Sequence, residues 1–353
     1  MLRSFSVRNF RCLEDLELHN LARVNLVVGD NDVGKTALLE ALYAHLSQAN
    51  VLFLLNLKTL RRSRIFALDE TIWQDLFFGL DDSKEIHVSS VDANGMERSS
   101  KITVGPSAQI ALTVPPGGQG FDRLPRPGFF RPLRVEYRDA GMQEPLQNEL
   151  ALEPDKGGLV QKHQLNPDLR AYYFSTAGPP ESQSVASHLS QLLIAKQRTL
   201  LVRLAKVIDE RIQDLSVASP KGVTEVFVDL GEPQLLPLTL MGSGVVRALG
   251  IASAIPVHAG GIVLVDEIED GIYYKRLNEL WSGIYEMSKT FDVQIVASTH
   301  SAECVRAAIE AVVPDLHDGD PLHVYRLDRG QRLPVPYERE SLESVKEFLA
   351  EVR

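Results

Sequence analysis

The chain has 353 residues, of which 44% are hydrophobic and 24% charged, so it carries enough apolar material for one large domain or two modest ones. Its 47 acidic and 37 basic residues give a formal charge of −10, which excludes a uniformly basic nucleic-acid binder. Contact with DNA would therefore require a local basic patch or a protein partner.

Cysteine content and hydropathy narrow the class of protein further. Cys12 and Cys304 are too few for a disulfide framework and form no zinc-type pair, and we expect both to be buried in a reducing cytoplasm. No stretch approaches the roughly 18 consecutive apolar residues that span a bilayer, and the first residues lack the apolar core of a signal peptide. The sequence therefore predicts a cytoplasmic protein with no membrane partner.

The first 46 residues predict a hairpin, a buried strand and a helix. Alternation of polar and apolar residues over 2–10 predicts an antiparallel strand, and Leu13–Leu18 is its predicted hairpin partner. The short apolar run Val24–Val28 predicts a buried strand. Leucines at helical spacing then predict a helix over 37–46.

The middle of the chain has weaker patterns. Residues 86–114 predict a β-meander whose first turn is Asn94-Gly95, and the proline- and glycine-rich stretch 115–132 predicts an irregular linker. Apolar residues at helical intervals over 184–214 predict one long helix. The cations between its apolar positions are Arg198, Arg203, Lys206 and Arg211. They form either a solvated helix face or a basic edge for nucleic acid or an acidic partner.

The C-terminal third alternates strands and helices. Strands are predicted at 224–229, at the fully apolar run Ile262–Val265 and at the largely apolar run 293–297. A hairpin is predicted around residues 328–330, followed by an amphipathic helix over 341–352.

The octapeptide GDNDVGKT at positions 29–36 matches the phosphate-loop pattern G-x-x-x-x-G-K-[ST], and it lies between a predicted strand and a predicted helix, as that motif requires. Gly29 and Gly34 allow backbone amides to turn toward an anion at a helix N-terminus. The Lys35 ammonium would reach the β- and γ-phosphates, and the Thr36 hydroxyl would bind Mg²⁺. The motif therefore predicts a phosphate site for a magnesium-bound nucleotide.

Two apolar strands end in polar residues that suit the other half of such a site. In GIVLVDE, Asp266 and Glu267 emerge at the end of the strand where ligands bind in open α/β sheets. Asp266 would hold Mg²⁺ through water, and Glu267 would orient the attacking water as a base. In QIVASTHS, His300 follows a strand that can share the same sheet edge, where it would contact the γ-phosphate.

A third glycine motif, MGSG, precedes a predicted helix. Gly242, Ser243 and Gly244 would form another helix N-terminus that accepts an anion. Two glycines separated by one residue are by themselves weak evidence for an anion site, and the alternative interpretation is a simple turn. Its position shortly before the acidic strand favours the functional interpretation.

In this order, GDNDVGKT, MGSG, GIVLVDE and STHS resemble the motifs of the ABC-type ATPases. The opening LRSFSVRNFRCLEDLEL, with Asn9-Phe10-Arg11, and Asn31 in the phosphate loop are similar to the branch that contains SMC, RecF and OLD-like proteins. The resemblance covers residues 1–46 and about 220–305. It implies an α/β P-loop head with a mixed central sheet, an N-terminal antiparallel β-subdomain and an inserted helical lobe.

The resemblance also implies how the head is divided and what its residues do. Residues 1–353 would form a single head, comprising a lobe at 1–135 with the phosphate loop, a helical insertion at 136–220, and a part at 221–353 with the remaining motifs. Two heads would enclose two ATP molecules with Mg²⁺, and Gly242, Ser243 and Gly244 would act in trans. The nucleotide contacts within one head would be Gly29, Asn31, Gly34, Lys35, Thr36 and Arg11. Catalysis would depend on Glu267 for the water, His300 for sensing the γ-phosphate, and Lys35.

Departures from the family pattern restrict the function. MGSG differs from the LSGGQ-type string of transporter subunits, and about 200 residues separate it from the phosphate loop, which argues against a transporter. None of the glutamines Gln143, Gln147, Gln161 and Gln164 is a convincing Q-loop residue. Only about 50 residues follow His300, too few for the Toprim nuclease that OLD proteins often carry, and no SMC-length coiled coil is present.

Three functions remain open. The first is an ATP-hydrolysing homodimer or larger homo-oligomer that regulates a separate effector, a nuclease or toxin encoded nearby, in bacterial phage defence or genome maintenance. The second is a RecF-like repair ATPase that binds DNA through cations such as those in KTLRRSR at 58–64. The third is a scaffold that assembles with ATP and turns it over negligibly, although the presence of Glu267 favours hydrolysis.

Overall fold

The computed structural model describes residues 1–60, 70–110, 128–153, 158–161, 171–176, 182–312 and 321–337. Within these residues, two large sheets and seven helices form two adjoining hydrophobic cores. None of the helices in these ranges is long and apolar enough to cross a membrane.

The first sheet is antiparallel and has seven strands in the order β10-β9-β8-β5-β4-β1-β2. Its strands are β1 (Leu2–Phe10), β2 (Leu13–Leu18), β4 (Ile86–Asp92), β5 (Glu97–Val104), β8 (Leu133–Asp139), β9 (Leu146–Glu153) and β10 (Gly158–Gln161). β1 pairs antiparallel with β2, as the sequence predicts. Alternate residues face the core, as shown by Phe5 and Val7, which are at most 1% exposed.

The second sheet is mixed, with six strands in the order β11-β15-β16-β3-β17-β18. They are β3 (Val24–Val28), β11 (Ala171–Phe174), β15 (Ile262–Val265), β16 (Gln294–Ser298), β17 (Leu322–Arg326) and β18 (Val335–Tyr337). The first five strands in this order run parallel, and β18 closes a hairpin with β17 around the predicted turn. The carboxyl ends of β3, β15 and β16 therefore meet at one edge.

Helices cover both faces of the mixed sheet. They are α1 (Lys35–Leu46), α2 (Val51–Leu60), α3 (Ser182–Ile194), α4 (Arg198–Ile208), α5 (Ser243–Val257), α6 (Leu277–Thr290) and α7 (Ala302–Val312). Alternate residues of β15 belong to different cores: Val263 and Val265 pack with α3 to α7, whereas Leu264 packs with α1 and the antiparallel sheet. Burial on both faces explains why β15 and residues 295–297 of β16 are continuous apolar runs rather than alternating ones.

The predicted meander at 86–114 is correct only in its first hairpin. β4 and β5 pair around Asn94-Gly95, where Gly95 has φ +76°, but the next partner of β5 is β8. β6 (Ala108–Ile110) pairs instead with β7 (Gly128–Phe130) in a separate two-stranded sheet. The third strand of the meander comes from later in the chain because β8 supplies the matching apolar face, with Leu133, Val135 and Tyr137 buried. Residues 111–127, which include most of the predicted linker, lie outside the described residues.

The segment 136–220, predicted to be a helical insertion, is not helical throughout. Its first part completes the antiparallel sheet through β8, β9 and β10, and β11 joins the mixed sheet as an edge strand. It also contains β12 (Asp214–Ala218), which pairs with β13 (Glu225–Asp229), and β13 pairs with β14 (Leu236–Pro237). Among the described residues of this segment, α3 and α4 are the only α-helices.

The single helix predicted over 184–214 is two helices. Lys196 has φ +59°; its amide donates to the carbonyl oxygen of Leu193 and the amide of Gln197 to that of Leu192, which is a Schellman termination. Glycine normally occupies the left-handed position of this motif, so a lysine there gave no signal in the sequence. The tail helix predicted over 341–352 lies outside the described residues.

Candidate functional site

The phosphate loop joins β3 to α1, and two glycines permit its conformation. Gly29 has φ +143°, and a Cβ there would collide with the carbonyl oxygen of Leu327. Gly34 has φ +107°, and a Cβ there would lie 2.7 Å from Cδ2 of Leu13 and 3.2 Å from Sγ of Cys12. No side chain caps α1 at Gly34, so its first amides remain available to an anion.

Lys35 lies over this loop. Its Nζ donates to the carbonyl oxygens of Gly29 and Asp30, both at 2.7 Å, and the residue is 8% exposed. Burial lowers the pKa of the Lys35 ammonium from its ordinary value, while the carboxylates of Glu267 and Asp266 act in the opposite direction. The ammonium is thus held where the phosphates of a nucleotide in this loop would lie.

The hydroxyl of Thr36 meets the carboxylate of Asp266. Thr36 Oγ1 donates to both carboxylate oxygens, at 3.0 and 3.1 Å, and Asp266 is 2% exposed. Ser298 Oγ donates to Oδ1 at 2.6 Å, and Thr176 Oγ1, beyond the end of β11, lies 3.4 Å from Oδ2. Hydroxyl and carboxylate oxygens that converge in this way are the hard donors that Mg²⁺ prefers, so the residues fit the predicted ion.

The acidic turn after β15 brings two glutamates to His300. Glu267 has φ +47°, and its amide donates to Ser298 Oγ at 2.8 Å. Ile268, between the glutamates, is fully buried and anchors the turn. Nδ1 of His300 lies 3.9 Å from Glu267 Oε1 and 3.3 Å from Glu269 Oε1. The predicted base and the predicted phosphate sensor are therefore neighbours.

The MGSG motif lies against this same turn. Helix α5 begins at Ser243, and a Cβ on Gly244 would collide with the carbonyl oxygen of Gly271, so only glycine allows the approach. One turn into the helix, the buried guanidinium of Arg247 donates from Nη2 to the carbonyl oxygens of Asp266 and, at 2.9 Å, Glu267. Helix α5 is thus tied directly to the backbone that carries the acids.

Arg11 and Asn31, the two remaining predicted nucleotide contacts, differ in placement. The Arg11 guanidinium is 8% exposed and forms a 2.7 Å ion pair with Glu40 of α1. Arg11 also lines a cavity of about 860 Å³ together with loop residues 32 and 33. Asn31 is exposed at the tip of the loop. Cys12 lines the cavity and is exposed, contrary to the prediction of a buried thiol, whereas Cys304 is buried.

Four residues of the site were not singled out with a role in the sequence: Thr176, Arg247, Ser298 and Glu269. Thr176 and Ser298 lie at or just beyond the ends of strands that flank β15, a region where ligands bind in parallel sheets, but the sequence does not show which strands are neighbours. Arg247 lay within an otherwise apolar helix, and an isolated cation there is a recognisable signal of a buried partner.

The three arginines of the predicted basic edge, two on α4 and one just beyond it, have acidic neighbours. Arg198 lies 3.1 Å from Asp214, Arg211 forms a 2.7 Å pair with Asp209, and Arg203 is 3.9 Å from Glu286. Paired in this way, the guanidinium groups contribute less positive potential than the sequence indicated. Arg61, Arg62 and Arg64 of the other basic stretch lie outside the described residues.

Comparison with known proteins places the chain in a family of ATPases. Residues 24–306 match the family model described as "AAA domain, putative AbiEii toxin, Type IV TA system". The chain is 22% identical to an ATP/GTP phosphatase of Helicobacter pylori, over 97% of each protein. It is 26% identical to an OLD nuclease of Thermus scotoductus over 96% of this chain, which spans 65% of that nuclease.

Solved structures share the fold at low sequence identity. A structure of an SMC head bound to the C-terminal winged-helix domain of ScpA has a TM-score of 0.50 at 12% identity and covers 97% of this chain and 99% of that one. The SMC head of Pyrococcus furiosus bound to the C-terminal domain of ScpA has a TM-score of 0.50 at 11% identity and covers 100% and 99%. The predicted α/β P-loop head with a mixed central sheet is confirmed.

Proposed function

The chain belongs to this AAA-domain family and is an ABC-type ATPase of the SMC and OLD-like branch, and on that premise we propose that it binds ATP with Mg²⁺ at the phosphate loop and hydrolyses it. The observation that carries the proposal is the contact of Thr36 with Asp266, with Glu267 and His300 at the same sheet edge. Two strands and a loop distant in sequence thereby supply the metal donors, the base and the phosphate contact of one reaction.

Binding would begin with an exchange of hydrogen bonds at Lys35. Its ammonium is already aimed into the loop, where the carbonyl oxygens of Gly29 and Asp30 accept from it. Phosphate oxygens are stronger acceptors because they carry charge, so the β- and γ-phosphates would replace these carbonyls. Thr36 and Asp266 would hold Mg²⁺, which neutralises charge on the transferring phosphoryl group.

Glu267 would then polarise the attacking water. Its side chain is 40% exposed, and it is fixed at the backbone by the hydrogen bond to Ser298 and by the buried Ile268. The left-handed conformation of Glu267 is strained for a residue with a Cβ, and such strain recurs at catalytic positions. A carboxylate that is carried on a fixed backbone and is open to solvent is suited to take a proton from water.

A second copy of the chain would complete the site. Gly242 and Ser243 are exposed, and Leu240 beside them is 71% exposed. Among the residues that the structure describes, no atom lies within 4 Å of where a Cβ on Gly242 would stand. The amide groups at the start of α5 would therefore be open to the γ-phosphate of a nucleotide bound in the other copy. We accordingly propose an ATP-dependent homodimer in which residues 242–244 act in trans.

The biological role we propose is control of a separate effector in bacterial phage defence. The chain spans 65% of the OLD nuclease that it resembles, and the proposed partner is a nuclease or toxin encoded nearby. A formal charge of −10 favours a protein partner over bare DNA. Co-purification with the product of a neighbouring gene, in ATP but not in ADP, tests this role.

Three variants test the chemistry. Glu267→Gln keeps the shape of the side chain but not its basicity, so we expect hydrolysis in a single turnover to fall by about 100-fold or more while ATP still binds. Lys35→Ala should lose ATP binding itself. Asp270→Asn removes one neighbouring exposed carboxylate and should leave both quantities unchanged. Light scattering with ATP should show the Glu267→Gln variant as a dimer. Undiminished hydrolysis in that variant would contradict the proposed role of Glu267.

A further inference from the structure

Glu269 has an unusual environment for a carboxylate. Its side chain is 10% exposed, and its Oε1 faces both the backbone amide of His300, at 3.1 Å, and Nδ1 of the same residue, at 3.3 Å. Its other oxygen, Oε2, is buried and accepts no hydrogen bond from the residues that the structure describes. A buried carboxylate with one unpaired oxygen costs free energy, so the stability of the turn alone does not account for Glu269.

The two glutamates of the turn divide their contacts with His300 unequally. Glu269 is the closer and more buried, and it meets both the ring and the main chain. Glu267 is 3.9 Å from Nδ1 and 40% exposed, so it makes no hydrogen bond with the ring. Because Nδ1 of His300 already pairs with Glu269, it does not draw the carboxylate of Glu267 away from the attacking water.

We propose that Glu269 is a positioning residue that holds the ring of His300 with its proton on Nδ1, so that Nε2 is the nitrogen presented to the γ-phosphate and Glu267 stays free for water. The role rests on the proposed ATP hydrolysis. A carboxylate accepts only, so the nitrogen that faces it must carry the proton, which fixes the tautomer and the ring orientation. Carboxylates behind metal-bound histidines act in the same way.

The backbone of the turn explains why Glu269 can hold this position. Asp270 donates its amide to the carbonyl oxygen of Glu267 at 3.0 Å, and Ile272 donates to that of Glu269 at 2.9 Å. Ile268 also donates its amide to the carbonyl oxygen of Ser298, which ties the turn to the strand that ends at His300. The carboxylate and the ring are therefore supported by one rigid unit.

Kinetics test the role. Glu269→Ala should lower the hydrolysis rate by about 10- to 100-fold, as loss of a supporting carboxylate typically does, without weakening ATP binding. Glu269→Gln retains an oxygen acceptor, so it should restore part of the loss, and Asp270→Asn is the matched charge control. In a His300→Ala background, Glu269→Ala should change the rate by less than about twofold, the usual error of additivity. An equal loss in both backgrounds would assign Glu269 a general structural role and overturn the proposal.

A second readout does not depend on activity. Nitrogen-15 NMR of the histidine rings at about pH 8, with the His300 signals identified by their loss in His300→Gln, reports the tautomer directly. We expect Nδ1 to carry the proton in the wild type and Nε2 to gain it in Glu269→Ala; an unchanged tautomer in that variant overturns the proposal. If the wild type hydrolyses no ATP, the proposed function fails, and the NMR result still decides the role of Glu269.

Discussion

Gly34 lies against the first hairpin, and the cost of replacing it by alanine can be divided into a backbone part and a steric part. A φ of +107° disfavours any residue with a Cβ, by about 1–2 kcal/mol. The new Cβ would also lie 2.7 Å from Cδ2 of Leu13, which is 5% exposed and cannot withdraw freely. Overpacking of this kind costs about 1–3 kcal/mol, so we expect Gly34→Ala to lower the free energy of unfolding by roughly 2–5 kcal/mol.

Gly95→Ala is the matched control, because Gly95 has φ +76° and no atom of the described part of the chain lies within 4 Å of its Cβ position. It should show the backbone cost alone, about 1–2 kcal/mol in urea denaturation. Adding Leu13→Ala to Gly34→Ala removes the clashing methyl, so the double variant should be more stable than the sum of the two single losses by about 1–3 kcal/mol. Equal losses for Gly34→Ala and Gly95→Ala, or strict additivity, would refute the steric reasoning.

Two further predictions concern buried polar groups. Ser298→Ala leaves the amide of Glu267 and one oxygen of Asp266 without their hydroxyl partner, so urea denaturation should show a loss of about 1–3 kcal/mol. His45 is buried between the hydroxyls of Ser90 and Ser100, and burial lowers its pKa from 6.5 to about 3. The unfolded chain therefore binds a proton that the fold excludes, and stability should fall by about 1.4 kcal/mol per pH unit as the pH drops below 6.5 toward 3; denaturation of His45→Gln between pH 8 and 5 should show a shallower slope.

The parts of the site that the sequence predicted are those whose residues lie close together in the sequence. The phosphate loop requires its glycines, lysine and threonine within eight consecutive positions, so the motif is complete without knowledge of the fold. The acids after β15 were placed correctly because a run buried on both faces implies a parallel strand with ligands at its carboxyl end. The roles of the site residues remain proposals, whereas their convergence at one edge is observed.

The features of the site and of the fold that the sequence did not predict depend mostly on contacts between segments distant in sequence. Ser298 supports Asp266 and Glu267 across the sheet, 32 and 31 positions away, and nothing in its own strand distinguishes that hydroxyl from others. The break between α3 and α4 escaped because Lys196 takes a backbone conformation that glycine usually occupies. The prediction for the third strand of the meander was wrong because alternation of polar and apolar residues identifies a strand but not the strand that pairs with it. β5 pairs with β8, which follows a long insertion.

The electrostatics of the site also explain how a chain with a charge of −10 can hold a polyanion. Lys35 is surrounded by the carboxylates of Asp30, Asp266, Glu267 and Glu269, so the protein alone presents an excess of negative charge to a triphosphate. Two unit charges 4 Å apart near a protein surface interact by about 4 kcal/mol, so one ammonium cannot offset several carboxylates. A divalent cation on Thr36 and Asp266 would reverse this balance, and the exposed start of α5 in a second copy would add further positive potential. If the proposed metal and second copy both take part, nucleotide binding would be coupled to them, and the carboxylates would make tight binding conditional on the metal and on assembly.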